Sequence, residues 1–189
     1  MFDFHIMHED EIRLLYEQSL SRDFPVSELK SLSAILHMHR QGLYDVIGAY
    51  QGDCFVGYAL LYCPKEGRVA LLDYFAVEPG FRHQGVGSRF LKQLRLHYAK
   101  HVDVLMVECE RPKAAPDEIE ARKRISFYTQ VGAILTSVRI FLFGVEYSIL
   151  VFPCTDHIPQ CDWAGQMIAL YQQMLPEELF KNNVRLLRT

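Results

Sequence analysis

Residues 71–98, LLDYFAVEPGFRHQGVGSRFLKQLRLHY, leave the chain few ways to fold. Leu71 to Val77 is an apolar run of strand length. Glu78-Pro79-Gly80 stops it, because proline cannot donate to a ladder and glycine tolerates positive φ. Arg82-His83-Gln84-Gly85-Val86-Gly87-Ser88 then turns into a helix whose Phe90, Leu91, Leu94 and Tyr98 recur at helical spacing. First-turn amides of such a helix lack intrahelical partners and sit at the positive end of its dipole. Gly85 and Gly87 have no Cβ, so an anion can approach the main chain, and Arg82 adds a full charge at the mouth. The same residues also suit an ordinary tight turn with a chance arginine, and the turn alone does not decide between the two.

The flanking chain supplies context. Residues 2–6 suit a first strand, and residues 10–20 a helix with Ile12, Leu15, Tyr16 and Leu20 on one stripe. Phe24-Pro25 interrupts. Ser27 and Glu28 suit the opening of a second helix over 26–41, with Leu29, Leu32, Ile35 and Leu36 inward and Gly42 as its stop. The period then changes to two. Residues 45–50, 55–62 and Val69–Val77 read as a meander turned at Gln51-Gly52-Asp53 and at Pro64 to Gly67. Another strand, 102–110, follows the helix, and strand–helix–strand argues for a parallel pair with a right-handed crossover. Asp117 caps a helix through Arg124, Ile125, Phe127 and Tyr128 to Gly132. Strands 134–143 and 145–152 meet at Gly144, and the tail holds a helix with Ile168, Tyr171, Met174 and Leu175 on one side. Pro176-Glu177-Glu178 starts a last short helical piece.

Composition narrows the class. Half of the 189 residues are hydrophobic and 12% aromatic, which excludes a disordered chain. Twenty basic against 23 acidic residues give a net charge of −3, with no basic cluster, so no nucleic-acid partner is expected. The five cysteines, Cys54, Cys63, Cys109, Cys154 and Cys161, are scattered without C-x-x-C spacing and read as reduced structural thiols. The start, MFDFHIMHEDEIR, has acids early and no long apolar core, so neither a signal peptide nor a membrane span is expected and the location reads as cytoplasmic. His37 and His39 diverge on a helix; His97 and His101 can share a face, but nothing completes a ligand set, so no metal is expected.

With these pieces in place the chain resembles the GNAT superfamily of acyl-CoA-dependent N-acyltransferases. Arg82-His83-Gln84-Gly85-Val86-Gly87 fits the family's Q/R-x-x-G-x-G/A loop, the strand ending Tyr74-Phe75-Ala76-Val77 precedes it in the right place, and Arg124-Ile125-Ser126-Phe127-Tyr128 looks like the family's later tyrosine-bearing helix. The likeness in element order covers residues 2–152, and the tail has no counterpart. The resemblance implies a mixed α/β fold: a mostly antiparallel, twisted sheet of six to seven strands with a parallel pair at the cofactor site, flanked by helices and followed by a C-terminal helix. Residues 1–152 are then the acyltransferase domain, and 153–189 a helical tail packed on it. That tail helix serves either its own domain or a homodimer.

The resemblance also implies acetyl-CoA as cofactor and acetyl transfer to a primary amine of a small molecule, peptide or protein. A catalytically idle acyl-CoA-binding or interaction module on the same fold is the alternative. Arg82, His83, Gln84, Gly85, Val86, Gly87 and Ser88 would hold the pyrophosphate, and His83 is equally a solvated loop residue. Main-chain N–H groups of Phe75, Ala76 and Val77 would meet the thioester oxygen, which gains charge during attack. Tyr128 would protonate the leaving thiolate; from its neighbours alone it is equally a core aromatic. The amine must shed a proton. Asp73 interrupts an apolar strand, where a carboxylate is costly unless partnered or useful, and it shares side-chain parity with Phe75 and Val77. Glu108 and Glu110 share a face of the next strand. Together these acids either make a pocket for a cationic amine or are structural, with Asp73 paired to an arginine and the glutamates at an exposed strand end.

Overall fold

The computed structural model describes residues 1–155 and 160–187. Residues 156–159 and 188–189 of the expected tail lie outside the described residues. The chain divides into two compact units, Met1–Lys65 with Leu72–Gln93, and Glu66–Leu71 with the chain from Leu94 onward.

In the first unit the strands stand in the order β1 (Asp3–Ile6), β2 (Tyr44–Gln51), β3 (Cys54–Tyr62), β4 (Val69–Val77, from Leu72). β1 and β2 pair antiparallel with Phe4 opposite Ala49, and β2 and β3 with Val46 opposite Leu60. Gly52 turns the hairpin at φ +58, a conformation glycine enters without a Cβ penalty. α1 (Glu9–Leu15) begins where Glu11 takes the N–H of His8, then widens into a π-helical turn, Tyr16–Leu20, before the three-residue α2 (Ser21–Asp23). Ile12, Leu15 and Leu20 are buried, as the stripe requires, while Tyr16 is half-buried.

The second predicted helix is shorter than its sequence pattern. α3 spans Leu32–Arg40, and its cap is Ser31, whose hydroxyl accepts the Ala34 N–H, not Ser27. The reason is tertiary. Tyr74 Oη accepts the Lys30 N–H at 2.9 Å and donates to the Glu28 carbonyl at 2.8 Å, so residues 28–30 are bonded to a strand side chain in place of a helix ladder. Ile35, Leu36 and Met38 fill the core, whereas Leu29 and Leu32 stay half-buried. Gly42, at φ +67, ends the helix as predicted.

The second unit holds β5 (Val104–Glu110), β6 (Ile134–Leu142), β7 (Val145–Pro153) and β8 (Val184–Leu186) in the order β5-β7-β6-β8, all antiparallel. Val69–Leu71, the start of β4, lies beside β5 as the parallel pair the crossover predicts, led in by Asp103 and Val104 N–H groups on the Arg68 carbonyl. β8 makes eight strands among the described residues, where the expectation was six to seven. Three residues beside Asn183 give no alternation to read, and it is pairing with β6, Val184 opposite Leu142, Arg185 opposite Phe141 and Leu186 opposite Ile140, that makes them a strand.

α4 (Val86–Tyr98) runs from the first unit into the second and buries Phe90, Leu91, Leu94 and Tyr98. α5 (Glu118–Val131) has Asp117 on its Glu120 N–H and stops at Gly132, φ +114. α6 (Trp163–Met174) and α7 (Glu177–Asn183) complete the second unit. The buried stripe of α6 is Met167, Leu170 and Tyr171, so the predicted stripe shares only Tyr171; Ile168, Met174 and Leu175 are half-buried. No helix among the described residues is long and apolar enough to cross a membrane, and no group of three His, Cys, Asp or Glu among them can hold a metal ion.

Candidate active site

The turn after β4 leads directly into the start of α4. A 3-10 turn, Pro79–Phe81, leads from the strand, and Gly85 takes φ +71 with open space where a Cβ would stand. The main chain opens the helix when Arg89 N–H bonds the Gly85 carbonyl at 3.1 Å. The amides of Val86, Gly87 and Ser88 therefore precede the ladder, with the helix dipole behind them. The Val86 side chain is buried and anchors the turn, so this residue offers a ligand only its backbone. Gln84 closes the turn, its amide donating to the Gly80 carbonyl at 2.9 Å. His83 is exposed and holds φ +61, a left-handed conformation uncommon for a residue with a Cβ. These donors and this open backbone fit the diphosphate of a coenzyme A ester.

Arg82 does not simply project from the mouth. Its Nε donates to the Val77 carbonyl at 2.7 Å and its Nη2 to Asp23 at 2.7 Å. Asp23 also accepts from Arg22 and, at 2.9 Å, from the Tyr58 hydroxyl. Burial raises the Asp23 pKa, but the hydrogen bonds from Arg22, Arg82 and Tyr58 outweigh it and hold the carboxyl below its ordinary value. Glu78 takes the other edge of Arg22 and the Ser19 hydroxyl. Sequence reasoning missed Asp23, Arg22, Glu78 and Tyr58. The π-helical turn that brings Ser19 and Asp23 to this side has no period of its own to read.

The end of β4 is tightly backed. A Cβ on Gly57 of β3 would come within 2.5 Å of the Ala76 carbonyl oxygen and 3.1 Å of the Val77 Cα. Phe75 packs its ring 5.1 Å from that of Phe90. Asp73 has a different surrounding. Lys30 Nζ lies 2.8 Å from its carboxylate, and the Tyr44 hydroxyl donates to it. The partner is thus a lysine rather than the arginine considered from sequence. Asp73 meets Lys30 and Tyr44, whereas Phe75, two residues further along the strand, meets the Phe90 ring of α4. A cavity of about 340 Å³ in this unit, lined by Met1, Phe2, Gln51, Arg89, Lys92 and Gln93, includes none of the predicted site residues.

Tyr128, Glu108 and Glu110 belong to the second unit. Tyr128 is buried on α5 beside the Phe127 ring. Burial pushes its phenol well above the ordinary value; the nearby Cys109 thiol adds to the rise and Arg124 opposes it. The phenol therefore keeps its proton at neutral pH, the state an acid requires. Cys109 is itself pushed up to about 12, chiefly by burial. Glu108 and Glu110 do share a face of β5, the one opposite Cys109, since side chains alternate along a strand. Glu108 accepts the Tyr171 hydroxyl of α6 at 2.8 Å. β5 thus turns Cys109 toward the tyrosine helix and Glu108 toward the tail helix.

Comparison with known proteins agrees with this geometry. No curated protein matches the chain. Among solved structures, a GNAT-family protein from Bacteroides thetaiotaomicron superposes with a TM-score of 0.73 at 20% identity, over 90% of this chain and 96% of that one. The ribosomal-protein-S18-alanine N-acetyltransferase of Escherichia coli gives 0.61 at 17%, over 86% and 100%. The yncA protein of Salmonella typhimurium, solved with its cofactor acetyl-CoA, gives 0.59 at 13%, over 85% and 98%. These likenesses establish the fold. The sequence pattern of the acetyltransferase (GNAT) family matches residues 9–130, from α1 through the tyrosine-bearing α5, and by that match the chain belongs to the GNAT family of acetyltransferases.

Proposed function

We propose that this GNAT acetyltransferase moves the acetyl group of acetyl-CoA onto a primary amine of a small molecule, a peptide or a protein. The observation that carries the reading is the helix start after β4, where Gly85 at φ +71 leaves the Val86, Gly87 and Ser88 amides ahead of the helix ladder. Those amides would hold the pyrophosphate, with Arg82 at the edge. The likeness to an acetyltransferase solved with acetyl-CoA supports that cofactor, and the likeness to an S18-alanine acetyltransferase supports a protein N-terminus as one acceptor class.

The residues divide the work as follows. Main-chain N–H groups at Phe75 to Val77 would face the thioester oxygen, and Gly57 keeps that stretch of backbone in place by close approach. The amine nitrogen bonds to the carbonyl carbon, the carbon–sulfur bond breaks, and the thiolate takes a proton from Tyr128. The proton shed by the amine goes to solvent or to a carboxylate, of which Asp73 is the candidate on β4. The fixed placement of both reactants supplies much of the acceleration.

Calorimetric titration with acetyl-CoA tests the cofactor half, and absence of saturable binding at millimolar cofactor ends the proposal. Release of free thiol across a panel of amines tests the transfer half. The competing reading, an idle acyl-CoA-binding module, draws on Asp73 already having a cation of its own in Lys30. It expects tight cofactor binding and no amine-dependent thiol release. Light scattering tests the homodimer reading, which a clean monomer excludes.

A further inference from the structure

We propose that Lys30 determines acceptor specificity, presenting an ammonium to the incoming amine, so that the enzyme favours acceptors with a carboxylate beside the reacting nitrogen over polyamines. The proposal rests on the acetyl-transfer reading above and on Asp73 marking the acceptor side of β4.

Asp73 is the carboxylate that would attract a cationic amine, yet Lys30 Nζ lies 2.8 Å from each of its oxygens. The Tyr44 hydroxyl donates to the same carboxylate. The Asp73 side chain is 5% exposed and that of Lys30 18%, so the outer member of the pair is the cation. The lysine is held at both ends. Its backbone N–H bonds Tyr74 Oη, its ammonium stands 5.5 Å from the centre of the Tyr74 ring, and Phe24 sets its ring edge-on to the same tyrosine at 5.0 Å. These contacts also explain why residues 28–30 are not helical.

The electrostatic consequence is a reversal of the acidic pocket read from sequence. A polyamine reaching for Asp73 meets a like charge first and must break a two-point ion pair to replace it. A lysine ammonium has three N–H donors, of which one is hydrogen-bonded to Asp73 Oδ1, with Oδ2 at ion-pair distance. An acceptor carboxylate can join the ammonium through a charge-assisted hydrogen bond without displacing anything. Free α-amino acids, and peptides with an acidic group next to the amine, have this chemistry.

The test uses matched amines that differ only by a carboxylate, tyrosine against tyramine and histidine against histamine, with spermidine alongside, in a free-thiol assay on the full chain. The wild-type protein should favour each carboxylate-bearing member in kcat/KM by about tenfold or more, the range of a hydrogen bond to a charged group. Lys30→Met should erase the preference mainly through KM, Lys30→Arg should keep it, and acetyl-CoA affinity by calorimetry should be unchanged in both. Preference for spermidine or the decarboxylated amines, or an unaltered ranking in Lys30→Met, overturns the proposal. Cofactor binding with no turnover of any carboxylate-bearing amine also overturns it and leaves the cofactor site standing. Loss of saturable cofactor binding in the wild-type protein removes the acetyl-transfer reading itself.

Discussion

Arg82 ties the end of β4 to Asp23, one guanidinium nitrogen on the Val77 carbonyl at 2.7 Å and another on the Asp23 carboxylate at 2.7 Å. The arginine that the loop motif marks for phosphate is thereby oriented by a residue 59 positions earlier. Asp23→Asn should free it. Arg22 and Arg82 are each about 40% exposed and can regain water, so the stability loss belongs at the low end for charged hydrogen bonds, about 1–2 kcal/mol. Acetyl-CoA affinity should change with it, read by calorimetry, whereas a purely structural Asp23 would leave affinity alone.

The same carboxylate sets a pH dependence. Its folded pKa is depressed, so its contribution is present above the unfolded value of about 3.9 and disappears as pH falls through the folded pKa. Urea unfolding of wild type and Asp23→Asn should differ at pH 7 and converge as the pH is taken below 3.9. A gap that persists unchanged at pH 2.5 would place the effect elsewhere.

Tyr128→Phe removes the proposed proton and little else. Acetyl transfer should fall by about 10²-fold, the lower range for a general acid, with acetyl-CoA affinity within about twofold. Because burial raises the phenol above its ordinary value, the wild-type rate should show no falling limb from tyrosine ionisation up to pH 10. Activity equal to wild type in the variant would return Tyr128 to the core.

Thiol chemistry reports on the same helix. Cys109 is buried and pushed up to about 12, as is Cys154, while Cys54 is exposed. The nucleophile in alkylation is the thiolate. Iodoacetamide at pH 8 should label Cys54 in the native protein and reach Cys109 and Cys154 only on unfolding, as peptide mass spectra would show. Native labelling of Cys109 would mean that the α5–β5 contact opens in solution.

Gly57→Ala tests the close approach of β3 to β4. Its Cβ would stand 2.5 Å from a backbone oxygen that cannot swing away, so overpacking should cost about 1–3 kcal/mol. The strand end that moves is Ala76–Val77, so acetyl transfer should fall further than cofactor affinity. A variant as stable as wild type would show that the strands separate at little cost.

Much of the frame was legible locally. The strand Val69–Val77 and the helix stripe Phe90, Leu91, Leu94 and Tyr98 occur where alternation and helical spacing put them, and Gly42, Gly52, Gly132 and Gly144 all take the positive φ that a stop or turn demands. The loop at Gly85 was legible for the same reason, since an open backbone at a helix start is written in adjacent residues. Where two local signals competed, locality failed. Ser27 and Ser31 are both good caps, and Tyr74, distant in sequence, decided for Ser31.

The sequence by itself determined the family, the glycine turn that opens α4 and the helix that carries Tyr128, because each is encoded in a short run whose period or glycine acts on its own neighbours. The tertiary structure decided what each charge meets: Lys30 on Asp73 across 43 residues, Arg82 on Asp23 across 59, Tyr171 on Glu108 across 63. A side chain's period states which way it points but not what waits there, and the partner that each charge finds depends on the second.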